Sequence, residues 1–477
     1  MKAILDLIDL VDLRKLSVIG VNGDKTDELF GLVKAGEIRQ TEDGIAHFYA
    51  GQESGATGNF NRLKRNLQKR LINTFFSSDF HRDTYLTAYF SSFKKDIVCE
   101  ALMKSGKSGT AAALAQEALP LAIKFHFPEL AASLARKLAH HYSVIAVNRR
   151  KYEKFRAIRD QYHECAYWEN KAVDYYNDLA IDLRLAKTVK SDLIEKAKKY
   201  KSKLDAVAHE VPVLNFHLFR LNIHLFLFKI LNNGEGIEKT CREGIDFISR
   251  LEFTPPPRAQ RTFHFNLIPA YLQTGNFEAA YQTIRQLKQM VEKGSHNWII
   301  INAYQCILGF HWQRDEITGE GITAIYDSKL YRIVEEELRI YETYRAILSD
   351  SDAIKLGKFL NETPHYSADK KGMNINILVL QFLVFLRRND RSAIIDRMEA
   401  LQAYAYRYLA KDPTTRRSEL FFRMLFLLAK SAFDLEEVER RSPGITAELH
   451  NTPRQISAID IEVVPYEILW EKVKTWC

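Results

Sequence analysis

The chain has 477 residues, with 68 Lys and Arg against 60 Asp and Glu, a formal net charge of +8. Apolar residues make up 46 % and charged residues 27 %, so a folded core is available and disorder is excluded as the main state. With only 21 glycines and 12 prolines, the chain has too little punctuation for a β-sandwich or barrel, and its length exceeds one compact core.

Residues 1–96 read as a small N-terminal helical module. Within it, residues 60–76 place Leu63, Leu67 and Leu71 four apart, with Phe60 and Phe75 extending the same stripe. Residues 97–440 predict a succession of helix pairs. One pair covers 111–142, with Pro128 at a first helical position between its two helices. Residues 151–203 predict one or two long, charged helices. Helices at 214–231 and 237–251 are parted by Asn232, Asn233, Gly234 and Gly236, and Pro255, Pro256 and Pro257 then form a rigid connection. The next pair, 262–273 and 277–293, is parted by Thr274, Gly275 and Asn276; Pro269 inside its first helix should bend or break it. A helix at 298–314, a loop through Gly319 and Gly321, and a helix at 330–349 follow. Helices at 376–387 and 392–410 come next, then one amphipathic helix at 418–438. Residues 441–477 predict a capping segment in which Ile459, Ile461, Val463 and Val464 run extended before Pro465. The fold class expected is all-α, an α-solenoid of antiparallel helix pairs recurring roughly every 40 residues.

The segment 262–290 resembles a tetratricopeptide repeat. With Gly275 on the family's turn glycine, Leu267 and Tyr271 fall on its first-helix core positions and Ala280 on the small residue where the two helices cross. The resemblance implies a tetratricopeptide-like array that binds a protein or peptide on a concave surface. On that reading His217, Arg220, His224, His264, Asn266, Tyr271 and Asn302 are the candidate groove residues. A second resemblance lies at 42–49 and 61–71, which looks like the second and third helices of winged-helix regulators. It implies nucleic-acid contact through Arg62, Lys64, Arg65, Lys69 and Arg70. The same five bases also fit a solvated helix face opposite the leucine stripe.

Motifs for chemistry are sparse. Residues 103–108 carry the tail of a phosphate-binding loop, but Ala101 stands where its first glycine belongs, and the segment reads as a helix–helix turn. His217 and His224 share a helix face among phenylalanines, with no acid or thiol at ligand spacing. The expectation is a non-enzymatic scaffold with no catalytic residue, cofactor or metal; a site assembled only in space stays open. Cys99, Cys165, Cys241, Cys306 and Cys477 are odd in number and widely spaced, which suits a reducing compartment. Asp6, Asp9 and Asp12 interrupt any signal-peptide core, and the longest apolar run, 377–386, is well short of the ~20 residues a bilayer span needs. A cytoplasmic protein without a membrane partner is expected, with a protein or peptide partner and nucleic acid as the alternative.

Overall fold

The structure is a computed structural model that describes residues 1–13, 18, 20–51, 54–77, 84–185, 191–350, 373–409, 413–456 and 462–477. Among the described residues the chain is all-α, with 22 α-helices and no strand. Its contacts define two compact units: residues 1–167 with 252–254, and residues 168–251 with 255–477.

In the first unit, α1 (Lys2–Leu13), α2 (Lys25–Ala35), α3 (Thr41–Tyr49) and α4 (Ala56–Ser77) share a core centred on Leu29, Phe60, Leu67 and Leu71. The leucine stripe read in the sequence is the buried face of α4. Asp24 caps α2 by accepting from Thr26 and Asp27 amides, and Gly36 ends it in a left-handed conformation. Next come α5 (Thr84–Lys104), α6 (Ser108–Lys124) and α7 (Pro128–His140), with α6 packed on α5 and α7 on both. Residues 105–107 form the turn between α5 and α6, with Gly106 at φ 74°. A π-helical turn, His141–Ile145, leads into α8 (Arg149–Leu185). Phe253 closes this unit, its ring 5.1 Å from Phe125 and 5.7 Å from Tyr85.

The second unit holds the rest of α8, then α9 (Ser191–Val207), α10 (Leu214–Ile230), α11 (Gly234–Ser249), α12 (Pro257–Thr274), α13 (Phe277–Gln289) and α14 (His296–Trp312). It continues with α15 (Asp315–Tyr326), α16 (Glu335–Leu348), α17 (Met373–Arg387), α18 (Arg391–Tyr404), α19 (Arg416–Lys430), α20 (Leu435–Arg441), α21 (Pro443–Asn451) and α22 (Tyr466–Trp476). Successive helices from α9 to α19 pack on one another, and α22 returns onto α17 and α19. One hydrophobic cluster runs from Leu221 to Val473. Its centre is α17, in which every residue from 374 to 386 is buried, so the longest apolar run of the sequence is an interior helix.

The residues that carry the repeat resemblance behave as a helix–turn–helix. Leu267, Tyr271 and Ala280 are buried, Gly275 ends α12 at φ 74°, and Asn276 caps α13. Four expectations are corrected. Pro269 does not break α12, because Leu267, Ile268, Ala270, Tyr271 and Leu272 around it are all buried and hold the helix through it. Gly319 and Gly321 lie inside α15 rather than in a loop. A Cβ on Gly321 would stand 2.9 Å from the Asn302 carbonyl oxygen and 2.7 Å from Cys306 Sγ, so glycine there permits α15 to press against α14. The stretch 418–438 is two helices, broken where Ala432 and Phe433 adopt positive φ. The tail is helical from Tyr466; Val463 and Val464 are buried, and Ile459 and Ile461 lie outside the described residues. The boundaries read at 96/97 and 440/441 fall within α5 and α20.

Candidate functional site

A groove of ≈ 620 Å³, lined by mixed polar and apolar side chains that include Ile245 and Ala279, opens between α11 and α13, with α12 as its floor. Each helix contributes residues one and two turns apart, which places them on one face. Arg242, Glu243, Asp246 and Ser249 come from α11, His264, Leu267 and Tyr271 from α12, and Gln282, Thr283 and Gln286 from α13. The local sequence builds this arrangement directly. In α11 and α13 the apolar stripes Ile237/Cys241 and Ala280/Ile284/Leu287 are buried, and the groove residues flank them.

The groove walls are held from behind. Arg242 donates to the Tyr271 hydroxyl at 3.0 Å and pairs with Glu238 at 2.8 Å. Burial pushes the Tyr271 phenol up, against the pull of Arg242, so it stays a neutral hydroxyl. His264 Nδ1 donates to the Gln260 carbonyl oxygen at 3.0 Å, which fixes its ring and leaves Nε2 as the second ring nitrogen. Thr283 and Ser249 donate to backbone carbonyls of their own helices. Glu243 is gripped by Arg220 of α10.

Of the seven groove residues expected from the sequence, His264 and Tyr271 meet in this groove. Arg220 and His224 meet elsewhere, at a part-buried ionic cluster. Arg220 Nη1 and His224 Nε2 contact Asp205 Oδ1 at 2.7 and 2.8 Å, and Lys201 contacts Oδ2 at 2.8 Å. Burial raises the Asp205 carboxyl, but hydrogen bonds from His224, Lys201 and Arg220 outweigh it and hold the group well below the usual carboxylate range. His217 lies against Phe247, with ring centroids 4.4 Å apart and the rings tilted by 39°. Asn266 donates to the Thr262 carbonyl oxygen one turn back, and Asn302 is fully buried, donating to the Trp298 carbonyl oxygen. Sequence reading missed Arg242, Asp246, Ser249, Gln282 and Gln286; the available signal was their spacing beside the apolar stripes of α11 and α13.

The five bases of α4 separate into two groups. Arg70 is bound to Asp24 and Asp27, and Lys64 lies over the Phe60 ring, 5.5 Å from its centroid. Arg62, Arg65 and Lys69 are exposed on one helix face. No strand stands beside α4 among the described residues.

Residues 454–456, which follow α21, are held by side chains of the second unit. Asn232 Nδ2 donates to the Arg454 carbonyl oxygen at 3.0 Å, and Asn232 Oδ1 accepts from the Ile456 amide at 3.0 Å. Gln273 Nε2 adds a bond to the same Arg454 oxygen at 2.7 Å. Further on, Glu462 and Glu467 meet Arg417 of α19. No family model matches the chain, and no curated protein or solved structure matches it either.

Proposed function

We propose that the chain is a recognition scaffold, a tetratricopeptide-like solenoid of antiparallel helix pairs whose groove between α11 and α13 receives an extended segment of a partner protein. The observation that carries this reading is the open groove itself. It presents acid, base, amide, hydroxyl and imidazole groups along three helices, and its walls are braced by Arg220 and Arg242. Such a surface is suited to a peptide's backbone and mixed side chains rather than to one small apolar ligand. The Asn232 and Gln273 bonds to residues 454–456 add support, since they are contacts this array makes to a backbone segment of its own outside the α-helices.

The test is capture with a photo-crosslinking residue at Gln286, which is exposed on the groove rim. A protein partner should crosslink there and not from an exposed position on α4. The double variant H264A/Q286A should weaken capture about ten-fold with unchanged thermal stability. Equal capture by the variant would remove the reading.

A second reading rests on Arg62, Arg65 and Lys69, which share an exposed face of α4 and could contact nucleic-acid phosphates. A duplex mobility shift that weakens steeply with salt and disappears in R62E/R65E/K69E would favour it. No shift at low salt would eliminate it.

A further inference from the structure

Between α7 and α8 the chain makes a protrusion of one chemistry. All residues from 143 to 151 are exposed, and among them Val144, Ile145 and Val147 retain 60, 59 and 77 % of their surface. Three branched aliphatic side chains in four positions, turned to solvent, are unusual for a tip that has a core within reach. The tip is held outward. His141 and Tyr142 are buried just before it; His141 Nδ1 meets Ser108 Oγ at 2.9 Å, and the Tyr142 hydroxyl accepts from Gln116 at 2.6 Å. Tyr142 also stacks on Phe155, ring centroids 5.7 Å apart, which ties the start of α8 to the root of the tip.

Two amides of the tip are satisfied from within. The Ala146 amide donates to the His141 carbonyl oxygen at 3.0 Å, and the Asn148 amide to the Tyr142 carbonyl oxygen at 2.9 Å. Immersing this turn in an apolar medium would therefore not strand those donors. Directly behind it come Arg149 and Arg150, both exposed, and Lys151, whose Nζ turns back to lie 4.7 Å from the Tyr142 ring centroid; Glu153 is the one acid before Asp160. Arg149 pairs with Glu153, but both are more than half exposed, so water or another anion can replace that contact.

We infer that this protrusion is a peripheral anchor for an anionic lipid surface, with Val144, Ile145 and Val147 entering the headgroup region and Arg149 and Arg150 meeting lipid phosphates and carboxylates. A convex aliphatic tip ringed on one side by cations matches an interface that is apolar within and negative at its rim. An acidic protein would satisfy the cations but would need a socket shaped to the tip. The anchor is distinct from a membrane span, and no helix among the described residues is long and apolar enough to be one. It is independent of the groove on the second unit.

The experiment is flotation of the full chain with phosphatidylcholine vesicles, with and without a one-third share of phosphatidylserine. Binding should be about ten-fold or more tighter with phosphatidylserine and should fall as salt rises. I145D/V147D and R149E/R150E should each lower it about ten-fold, with helix content by circular dichroism unchanged. V147W, which keeps the tip apolar, should retain binding and give a blue-shifted emission on anionic vesicles. Equal binding to both vesicle types, no binding at low salt, or binding insensitive to I145D/V147D would overturn the inference. So would displacement by soluble glycerophosphoserine, which would make the site a headgroup pocket, or capture of an acidic protein through the tip with no flotation.

Discussion

Every N–H of the Arg417 guanidinium has an acceptor. Nε and Nη2 grip the two Glu462 oxygens at 2.7 Å, Nη2 also reaches Glu467, and Nη1 donates to the carbonyl oxygens of Leu449 and Thr452. The group is 5 % exposed, so the Glu462 carboxylate has little water to fall back on. Lysine offers a point charge where a planar fork is needed, so R417K should lose about 2–4 kcal/mol in urea denaturation. His311, 6 % exposed, is a separate probe of the same region. Burial, reinforced by the nearby Arg454 and Arg417 charges, pushes its imidazole down to about 3 from the ordinary 6.5. Below 6.5 the unfolded chain takes up a proton that the folded chain refuses, so stability is full above that value and declines as pH falls towards 3. The expected loss is about 2 kcal/mol from pH about 7.5 to about 5. H311F should flatten that slope without abolishing it, because His126 and His141 are also lowered by burial. Neither Arg417 nor His311 was legible in the sequence. Their partners lie 45 and 151 residues away, and only local spacing can be read from a string.

At the scale of elements, spacing did carry the helices. The Leu63, Leu67 and Leu71 stripe and the Thr274–Gly275–Asn276 turn emerge as read, because amphipathic period and turn chemistry are properties of neighbours. The glycines of α15 were misread because their reason lies on another helix. Glycine is a poor helix former taken alone, and only α14, pressed against Gly321, explains its place. G321A should therefore destabilise the chain by about 1–3 kcal/mol despite its better intrinsic helix propensity, measured by chemical denaturation. The candidate groove was half legible for a related reason. His264 and Tyr271 stood out as single residues, whereas the glutamines of α13 matter by standing opposite α11. Asn232 offers another test. It grips the peptide units of residues 454–456 from both sides, and N232A should cost about 1–2 kcal/mol and speed hydrogen exchange at the Ile456 amide.

Across the molecule, the hydrophobic cluster of the second unit includes Val463, Val464, Tyr466, Leu469, Trp470 and Val473, with Tyr466 stacked 4.6 Å from Phe421. Removing residues 453–477 should bare α17 and α19. The unfolding midpoint of the second unit should drop, and binding of an apolar dye should rise. Hydrogen-exchange protection in α1–α4, whose core is their own, should be unchanged. The return of this segment also has a consequence for biosynthesis. Ile456 leaves the ribosome 224 residues after Asn232, the side chain that clamps it, and the largely apolar α17 emerges before the α22 that shields it. For that interval the nascent chain displays an unshielded greasy helix, which makes it a natural client for co-translational chaperones and leaves its second unit unfinished until translation has passed Val473.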